Sequence, residues 1–214
     1  MDGRRNSKEG GVELQRGRLS WSERREGGRI AGEVFSDDGL FRLLFPNHAL
    51  RQSGVNRLHR GLLAAIPVTS TITRAVQHRR LLGCSLWVPP HCWPYPASFY
   101  RRSARQTHRL LAAFGLDADA AEPFLADVAS NHLRAPHWYL QLLMVDQQHQ
   151  GQGLGMALLQ PGLQAADREG VPCVLETQAE RNLPFYGRFG FHVTATTADP
   201  TQTATMWTMV RQPR

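Results

Sequence analysis

The chain has 214 residues, 42% of them hydrophobic and 20% charged, which is ordinary for a soluble globular protein and sufficient for one domain with its own core. No stretch approaches the roughly 20 apolar residues needed to cross a bilayer, and the polar opening lacks the apolar segment of a secretory signal. We therefore expect a cytoplasmic protein with no membrane partner. Residues 1–11 are polar and rich in Gly and Arg, so we predict a disordered arm there and one domain over 12–214.

The cysteines and histidines match no metal-binding or disulfide pattern. Cys84, Cys92 and Cys173 are odd in number and widely spaced, and the nine histidines form no H-E-x-x-H or paired Cys/His spacing. We expect no metal site. Cys173 lies in the apolar run VPCVLE and is predicted to be a buried free thiol.

The net charge of +7 and the pI near 10.1 raise the question of nucleic-acid binding. Nearly all of the positive charge is arginine, with Lys8 the only lysine, which is typical of codon bias. The arginines are spread along the chain and are not clustered with aromatic residues, so we expect no nucleic-acid partner.

The N-terminal half gives the weaker secondary-structure pattern. Gly27 and Gly28 are predicted to interrupt any long helix between residues 12 and 35. The segment VFSDDGLFRLLFP carries enough Phe and Leu to reach the core. The next predicted elements, in chain order, are strands over 68–76 and 81–88, a proline-rich loop over 89–96, and a mostly helical region over 97–134 with a break near Gly115.

The C-terminal half alternates strands with helices. Its predicted elements are a strand (137–145), a polar turn (146–153), a helix (154–169), a strand (171–178), a short helix (182–189) and two closing strands. This alternation predicts a mixed α/β domain with parallel neighbouring strands in this half.

The most informative segment is VDQQHQGQGLGM, from Val145 to Met156. It passes from a strand through a glycine-rich turn into the start of a helix. The unpaired N–H groups of a helix start attract anions, and glycine lets the backbone approach an anion without an intervening Cβ. A pyrophosphate suits such a turn.

Two other phosphate-binding motifs are excluded by spacing. The dinucleotide motif G-x-G-x-x-G fails because Met156 or Leu158 stands where its last glycine belongs, and the G-K-[ST] of the NTPase phosphate loop is missing. What remains is Q-x-x-G-x-G, formed by Gln150, Gly153 and Gly155. For this motif alone, a tight turn that binds no ligand stays open as an alternative.

The motif Q-x-x-G-x-G after an apolar strand resembles the acetyl-CoA motif of the GNAT superfamily of N-acetyltransferases. The resemblance continues through LET at 175–177 and NLPFYGRFGFHV at 182–193, and within the superfamily this string is similar to puromycin N-acetyltransferase-like members. It implies the GNAT fold, a twisted mixed β-sheet flanked by helices whose fourth and fifth strands splay apart, with acetyl-CoA as cosubstrate. The cofactor-binding residues that it implies are Leu143, Met144 and Val145 for the pantetheine, Gln150, Gly151, Gln152, Gly153, Leu154 and Gly155 for the pyrophosphate, and Asn182 near the thioester.

Tyr186 matches a position that faces the thioester in the relatives. We predict that its hydroxyl is the acid for the departing thiolate. The alternative is that Tyr186 packs beside Phe185 and Phe189 with its hydroxyl in solvent.

Glu176 is the candidate base, because it is the only acid in an otherwise apolar strand. The alternative is a structural carboxylate that holds the neighbouring loop or Arg181. Some GNAT enzymes carry a glutamate on the fourth strand, where this chain has Tyr139, so we expect no carboxylate base from that strand. A base that acts through a water molecule also stays open.

Two further sets of residues are candidates for contact with an acceptor. Asp37 and Asp38 are predicted to cap a helix in preference to facing a cationic amine. Trp87, Trp93 and Tyr95, in and beside the proline-rich loop, are candidates for the wall of an aromatic acceptor pocket, with core packing as the alternative for Trp87.

Taken together, the sequence predicts an enzyme that moves an acetyl group from acetyl-CoA to a primary amine of a small molecule by direct transfer in a ternary complex. The alternative is a non-catalytic GNAT-fold module that holds acyl-CoA or a partner protein. A homodimer is compatible with either function.

Overall fold

One mixed sheet of seven strands organises the protein. The computed structural model describes residues 11–67, 69–116 and 119–214. The strand order is β1-β2-β3-β4-β5-β7-β6, and every neighbouring pair is antiparallel except β4 and β5, which are parallel. The strands are β1 (Glu13–Arg16), β2 (Thr71–Gln77), β3 (Arg80–Val88), β4 (Trp138–Val145), β5 (Cys173–Thr177), β6 (His192–Ala198) and β7 (Thr205–Arg211). The predicted mixed α/β architecture is confirmed, whereas residues 1–10 of the predicted arm lie outside the described residues.

Helices cover both faces of the sheet. Side chains of α1 and α3, including Ile30 and Leu63, pack with Met144 on one face, and side chains of α6, including Leu159, pack with Trp87 on the other. The helices are α1 (Trp21–Phe35), α2 (Gly39–Leu44), α3 (His48–Ala65), α4 (Ala97–Ala112), α5 (Glu122–Ser130), α6 (Leu154–Glu169) and α7 (Leu183–Gly187). Both β1 and α3 fall where the sequence pattern gave no prediction.

The predicted helix break at Gly27 and Gly28 is wrong, because α1 runs through both glycines. They allow α1 to lie very close to α3: a Cβ on Gly28 would be 2.3 Å from Cγ of Arg60 and 2.8 Å from the carbonyl oxygen of Asn56. A capping box at Ser20 starts the helix. Tertiary packing and this cap therefore outweigh the low helix propensity of the glycine pair.

The parallel strands β4 and β5 separate after a short paired stretch. Beyond it, β4 stays paired with β3 as far as Val145, and β5 stays paired with β7 as far as Thr177. The pairing of β3 with β4 skips Gln141, which forms a bulge in β4. The bulge lies where β4 begins to diverge from β5. The β4–β5 pairs are Trp138↔Cys173, Tyr139↔Val174 and Leu140↔Leu175. This separation confirms the predicted splay and leaves a gap between the carboxyl ends of the two strands.

Candidate active site

Two cavities meet where β4 and β5 separate. The larger, which we call the glycine-turn cavity, has a volume of about 930 Å³ and is bounded by the end of β4, the turn before α6, and α7. The smaller, which we call the aromatic cavity, has a volume of about 340 Å³ and lies between the end of α1, β4, β5 and the loop after α5. The residues that line both cavities are Phe35, Asp38, Leu143, Asn182 and Tyr186.

The glycine turn has the backbone conformation that its sequence requires. Gly151 and Gly153 have φ values of +75° and +82°, which favour glycine, and Gly153 immediately precedes α6. A Cβ on either glycine would have no heavy atom within 4 Å, so the turn borders open space. The first amides of α6 have no partner within the helix, and Gly155 and Met156 line the glycine-turn cavity.

A buried ion pair fastens this turn to α1. Asp146, at the end of β4, is 2% exposed; its Oδ2 lies 2.5 Å from Nη2 of Arg29, and its Oδ1 accepts a hydrogen bond from the Gln148 amide at 3.0 Å. Burial acts to raise the pKa of Asp146, but the bonds from Arg29 and Gln148 outweigh burial and hold the pKa below its ordinary value. Asp146 is therefore a charged anchor of the turn, a role that the glycine motif alone did not indicate.

The edge of β4 that faces the gap is available to a ligand. Leu143 and Val145 pair with β3 on one side and, within the described residues, have no strand on the other. The Nε2 of Gln150 donates to the carbonyl oxygen of Val145 at 3.1 Å, and Nδ2 of Asn182 donates to Oγ1 of Thr177 at 3.0 Å. These bonds link the glycine turn to β4 and the start of α7 to β5.

Most of the predicted cofactor-binding residues line the glycine-turn cavity. Gln152 and Leu154 do not: Nε2 of Gln152 donates to the carbonyl oxygen of Gln148 at 3.2 Å, and the side chain of Leu154 packs into the cluster around Leu158. The predicted residues that do line the cavity are Leu143, Met144, Val145, Gln150, Gly151, Gly153, Gly155 and Asn182.

Two arginines that the motif did not single out also line the glycine-turn cavity. These are Arg181 and Arg188, on either side of α7, and the guanidinium of Arg188 lies 5.6 Å from the centre of the Phe185 ring. Arg188 stands inside the string that carries the family resemblance, but spacing alone did not indicate its role. Together the arginines and the helix start make this cavity electropositive.

Tyr186 lies on α7 at the junction of the two cavities. Its side chain is buried and packs against Phe185 and Phe191 at ring distances of 5.1 and 5.9 Å. No described residue forms a hydrogen bond with its hydroxyl. Burial and, secondarily, the nearby Asp38 carboxyl raise the pKa of Tyr186 above its ordinary value, so the hydroxyl is protonated at neutral pH.

Asp38 occupies the N-cap position of α2, as predicted, but it does not cap the helix with its side chain. The carboxyl lines both cavities, and its Oδ1 lies 3.7 Å from Nη2 of Arg181. Burial raises the pKa of Asp38 to about 6, although Arg181 lowers it. Asp37, by contrast, is exposed. The expectation that the Asp38 side chain serves as a cap is therefore wrong, and this carboxyl faces the site.

Glu176 lies on β5 and lines the aromatic cavity. Its Oε1 is 2.5 Å from Nε2 of His132 in the loop after α5, and both side chains are at least nine-tenths buried. Within the described residues, Oε1 of Glu176 has no partner besides His132. Two structural roles were considered for Glu176. The predicted contact with Arg181 is wrong, because Arg181 lies against Asp38. The contact observed is with a loop, through His132.

One wall of the aromatic cavity is made of packed rings, of which Trp93 and His132 are stacked and Tyr139 is tilted against both. Trp93 lies 4.6 Å from His132 and 4.7 Å from Tyr139, measured between ring centres, and both Trp93 and Tyr139 line the cavity. Tyr95 does not line it; instead its hydroxyl donates to Oε1 of Gln141 at 2.7 Å and supports the β4 bulge. Trp93 is thus placed as predicted, and Tyr95 supports the strand behind it.

The arginines are less evenly spread in space than in the sequence. Arg101, Arg102, Arg105 and Arg109 line one shallow depression along α4, since residues four apart share a helix face. The expectation that the arginines are not clustered is therefore wrong for α4. The prediction that drew on it, that the protein has no nucleic-acid partner, stays untested.

Cys84 and Cys173 are buried free thiols, as predicted for Cys173, and burial raises the pKa of each to about 12. Within the described parts of the chain, no helix is both long enough and apolar enough to span a bilayer.

Part of the sequence is similar to known proteins. Residues 117–193 match the model of the acetyltransferase (GNAT) domain, and this segment contains β4, the glycine turn, β5 and α7. An uncharacterised N-acetyltransferase of Schizosaccharomyces pombe is 38% identical over 72 residues, which are 32% of this chain and 29% of that relative. The match therefore spans less than a third of the relative's length.

Solved structures match over nearly the whole chain. A protein of Corynebacterium glutamicum described as histone acetyltransferase HPA2 and related acetyltransferase aligns with a TM-score of 0.67 at 21% identity, covering 94% of this chain and 97% of its own. The PaiA N-acetyltransferase of Thermoplasma acidophilum, solved in complex with coenzyme A, aligns with a TM-score of 0.55 at 13% identity, covering 94% and 99%.

The protein therefore has the GNAT fold, and residues 117–193 are similar in sequence to the acetyltransferase (GNAT) domain. Neither these relatives nor the domain model supports a particular closeness to puromycin N-acetyltransferase-like proteins, so that part of the resemblance stays a prediction.

Proposed function

We propose that this protein is an acetyl-CoA-dependent N-acetyltransferase that acts on a primary amine of a small molecule in a ternary complex. The observation that carries the proposal is the junction at Tyr186, where an electropositive cavity with a free strand edge meets a second, smaller cavity. This arrangement suits two substrates that meet at one point. A cytoplasmic location and a homodimer belong to the same proposal.

The residues of the glycine-turn cavity fit coenzyme A. The open space beside Gly151 and Gly153 gives an anion access to the amides at the start of α6. Arg181 and Arg188 supply positive charge for further phosphates. The free edge of β4 at Leu143–Val145 offers backbone groups to an extended pantetheine arm. When bound, acetyl-CoA supplies the acetyl group as a thioester.

The amine must lose a proton in the aromatic cavity before it can attack the thioester. Deprotonation at pH 7 costs about 4.6 kcal/mol for an alkylamine with a pKa of about 10.4 and about 1.4 kcal/mol for an α-amine with a pKa near 8. Glu176 is one of the two carboxyls that line this cavity, and it accepts the proton in this proposal.

Tyr186 acts at the other side of the transferred group. With ordinary pKa values of about 10 for tyrosine and 8.5 for a thiol, complete proton transfer to the departing sulfur already costs about 2 kcal/mol. The raised pKa of Tyr186 increases this cost. The hydroxyl therefore helps chiefly by donating a hydrogen bond to the developing negative charge, in a buried place where such a bond is strong.

The test compares two glycines at opposite ends of α6. Gly153 and Gly170 both have positive φ and nothing within 4 Å of an added Cβ, so a valine strains each in a similar way. Only Gly153 borders the cavity. We expect Gly153→Val to raise the dissociation constant of acetyl-CoA about tenfold or more, as measured by calorimetry, and Gly170→Val to leave it unchanged. If wild-type protein shows no association with acetyl-CoA, or if both variants bind it as the wild type does, the proposal is wrong.

A further inference from the structure

The charges that line the aromatic cavity are acidic. Its carboxyls are Asp38 and Glu176, and no lysine or arginine is among its described lining residues. Of its two histidines, His59 is completely buried and has a pKa lowered to about 4, chiefly by burial, so it is neutral at pH 7. The other histidine, His132, lies against Glu176. An anionic ligand therefore meets two carboxyls here with no lysine or arginine in the described lining to offset them, whereas a cation is attracted.

Glu176 is a buried carboxylate that can accept from a further donor. The side chain is 8% exposed, and within the described residues its Oε1 contacts Nε2 of His132. An ionised carboxylate has about four lone-pair sites, so this contact leaves sites for a donor from a ligand. An ammonium group that enters the cavity brings three donors and a positive charge, and so suits this carboxylate.

The ring wall favours a flat, apolar ligand body. Trp93, His132 and Tyr139 hold one another at ring distances between 4.6 and 4.8 Å, so the wall is rigid. Aromatic rings stack on such a wall in offset or edge-to-face geometry, and a nearby ammonium gains from the ring faces as well. The volume of about 340 Å³ is at the small end of the range for ligand sites and leaves room for one ring with a short arm.

We propose that the acceptor is a compact primary amine that is cationic in solution, carries one aromatic ring and has no anionic group. Its ring lies against Trp93 and Tyr139, and its ammonium lies between Glu176 and Asp38, next to Tyr186. This inference rests on the proposed acetyl-CoA-dependent transfer.

The transfer step balances in atoms and charge. The ammonium gives one proton to Glu176, which releases it to solvent. The neutral nitrogen forms a bond to the thioester carbonyl carbon while the carbon–sulfur bond breaks. The second nitrogen proton is lost from the acylated nitrogen, and one proton ends on the sulfur. An ammonium and a thioester thus give an amide, a thiol and one proton in solution.

Three amines separate the features of this acceptor. Tyramine has the ring and the positive charge, tyrosine adds a carboxylate to the same frame, and putrescine keeps the positive charge without a ring. We expect kcat/KM for tyramine, measured by release of free thiol from acetyl-CoA, to exceed that for either of the others by about tenfold or more. The α-amine of tyrosine is more often neutral at pH 7 than that of tyramine, so chemistry alone favours tyrosine. A preference for tyramine must then come from the cavity.

Variants assign the preference to particular residues. Glu176→Gln keeps the shape and removes the charge, and we expect it to reduce the preference for tyramine over tyrosine severalfold. Trp93→Leu removes ring surface and should reduce the preference for tyramine over putrescine. Arg101→Gln, on α4 and outside both cavities, is the control that should leave both preferences unchanged.

The outcomes distinguish this inference from the proposed function. Association with acetyl-CoA, combined with no turnover of tyramine or with a preference for tyrosine or putrescine, overturns the inference alone. Unaltered preferences in folded Glu176→Gln and Trp93→Leu also overturn it. Failure of the wild-type protein to bind acetyl-CoA overturns the proposed function, and the inference with it.

Discussion

The two cavities that meet at Tyr186 are built in different ways. The glycine-turn cavity is formed largely by backbone groups of contiguous chain, from the end of β4 through the turn into α6, together with the segment around α7. The aromatic cavity is formed by side chains from many separate elements, including the end of α1, the proline-rich loop, the loop after α5, β4 and β5. Backbone geometry that requires glycine leaves a local signature in the sequence, whereas a wall assembled from distant side chains leaves none.

The cavities also differ in charge, and the difference suits two substrates of opposite charge. The larger cavity has a helix start, Arg181 and Arg188, the smaller has Glu176, and Asp38 lines both. If the proposed function is correct, a polyanionic cosubstrate and a cationic amine are each drawn to one side of the junction. Changes on one side should then affect one substrate and spare the other.

The largest expected effect concerns Asp146, which anchors the glycine turn through Arg29. Asp146→Asn removes the buried charge that bonds to Arg29 and to the Gln148 amide. Arg29 keeps its partners Glu26 and Glu33, so the loss is that of the bonds to Asp146, and we expect it to be about 2 to 3 kcal/mol in the free energy of unfolding at pH 7. Because the pKa of Asp146 is lowered in the folded protein, its contribution is present above the unfolded value and is lost as the pH falls through and below about 4. Urea unfolding of both proteins at pH 7 and at about pH 2.5, below the unfolded pKa of the carboxyl, measures the two effects.

A matched variant separates anchoring from stability in general. Asp167 pairs with Arg211 at 2.7 Å and, within the described structure, lines neither cavity. Asp167→Asn should also destabilise the protein, but only Asp146→Asn should weaken binding of acetyl-CoA. Equal loss of affinity in the two variants would contradict a specific role of Asp146 in holding the turn.

The next effect concerns Asp38, at the junction of the cavities. Its pKa rises from an ordinary value of 3.8 to about 6, mainly because it is buried. The protonated Asp38 carboxyl therefore makes its full contribution to stability below about pH 4, and this contribution is lost as the pH rises through about 6. We expect Asp38→Asn to be more stable than the wild type by about 2 kcal/mol at pH 8, with this difference vanishing near pH 4. Thermal unfolding of both proteins at the two pH values provides the test.

The exposed neighbour Asp37 supplies the control for this experiment. Asp37→Asn should change stability little at either pH, because its side chain is 83% exposed. A difference between Asp38→Asn and the wild type that stays constant from pH 4 to pH 8 would show that burial does not shift Asp38.

The sequence was most informative where local rules apply. The apolar runs of β4 and β5 and the turn at Gly151 and Gly153 follow from period and from backbone conformation, so these elements were predicted at nearly the observed bounds. Gly28 shows the limit of such rules. Its low helix propensity is a local property, but its close approach to Arg60 and Asn56 depends on the packing of α1 against α3.

The candidate site shows the same limit in its chemistry. Glu176 stood out because an acid in an apolar strand is unusual, but its contact with His132 joins residues 44 positions apart and requires the loop after α5 to fold against β5. Asp38 had the sequence position of a helix cap, and only the structure shows its carboxyl turned to the cavities instead. Side-chain partners across the sheet are set by tertiary structure and are not contained in one-dimensional spacing.

The smallest of these effects, and the most direct test of the junction, is expected for Tyr186→Phe. Removing the hydroxyl should lower kcat about tenfold or more, equivalent to about 1.4 kcal/mol, because the departing sulfur loses a hydrogen-bond donor. Affinity for acetyl-CoA and thermal stability should change little, because no described residue bonds to this hydroxyl and the ring contacts with Phe185 and Phe191 persist. Tyr95→Phe is the matched control: it breaks the bond to Gln141 behind the wall, so it should reduce stability more than Tyr186→Phe does and kcat less. If kcat in Tyr186→Phe equals that of the wild type, Tyr186 takes no part in the transfer, and the meeting of the two cavities at this residue has no catalytic meaning.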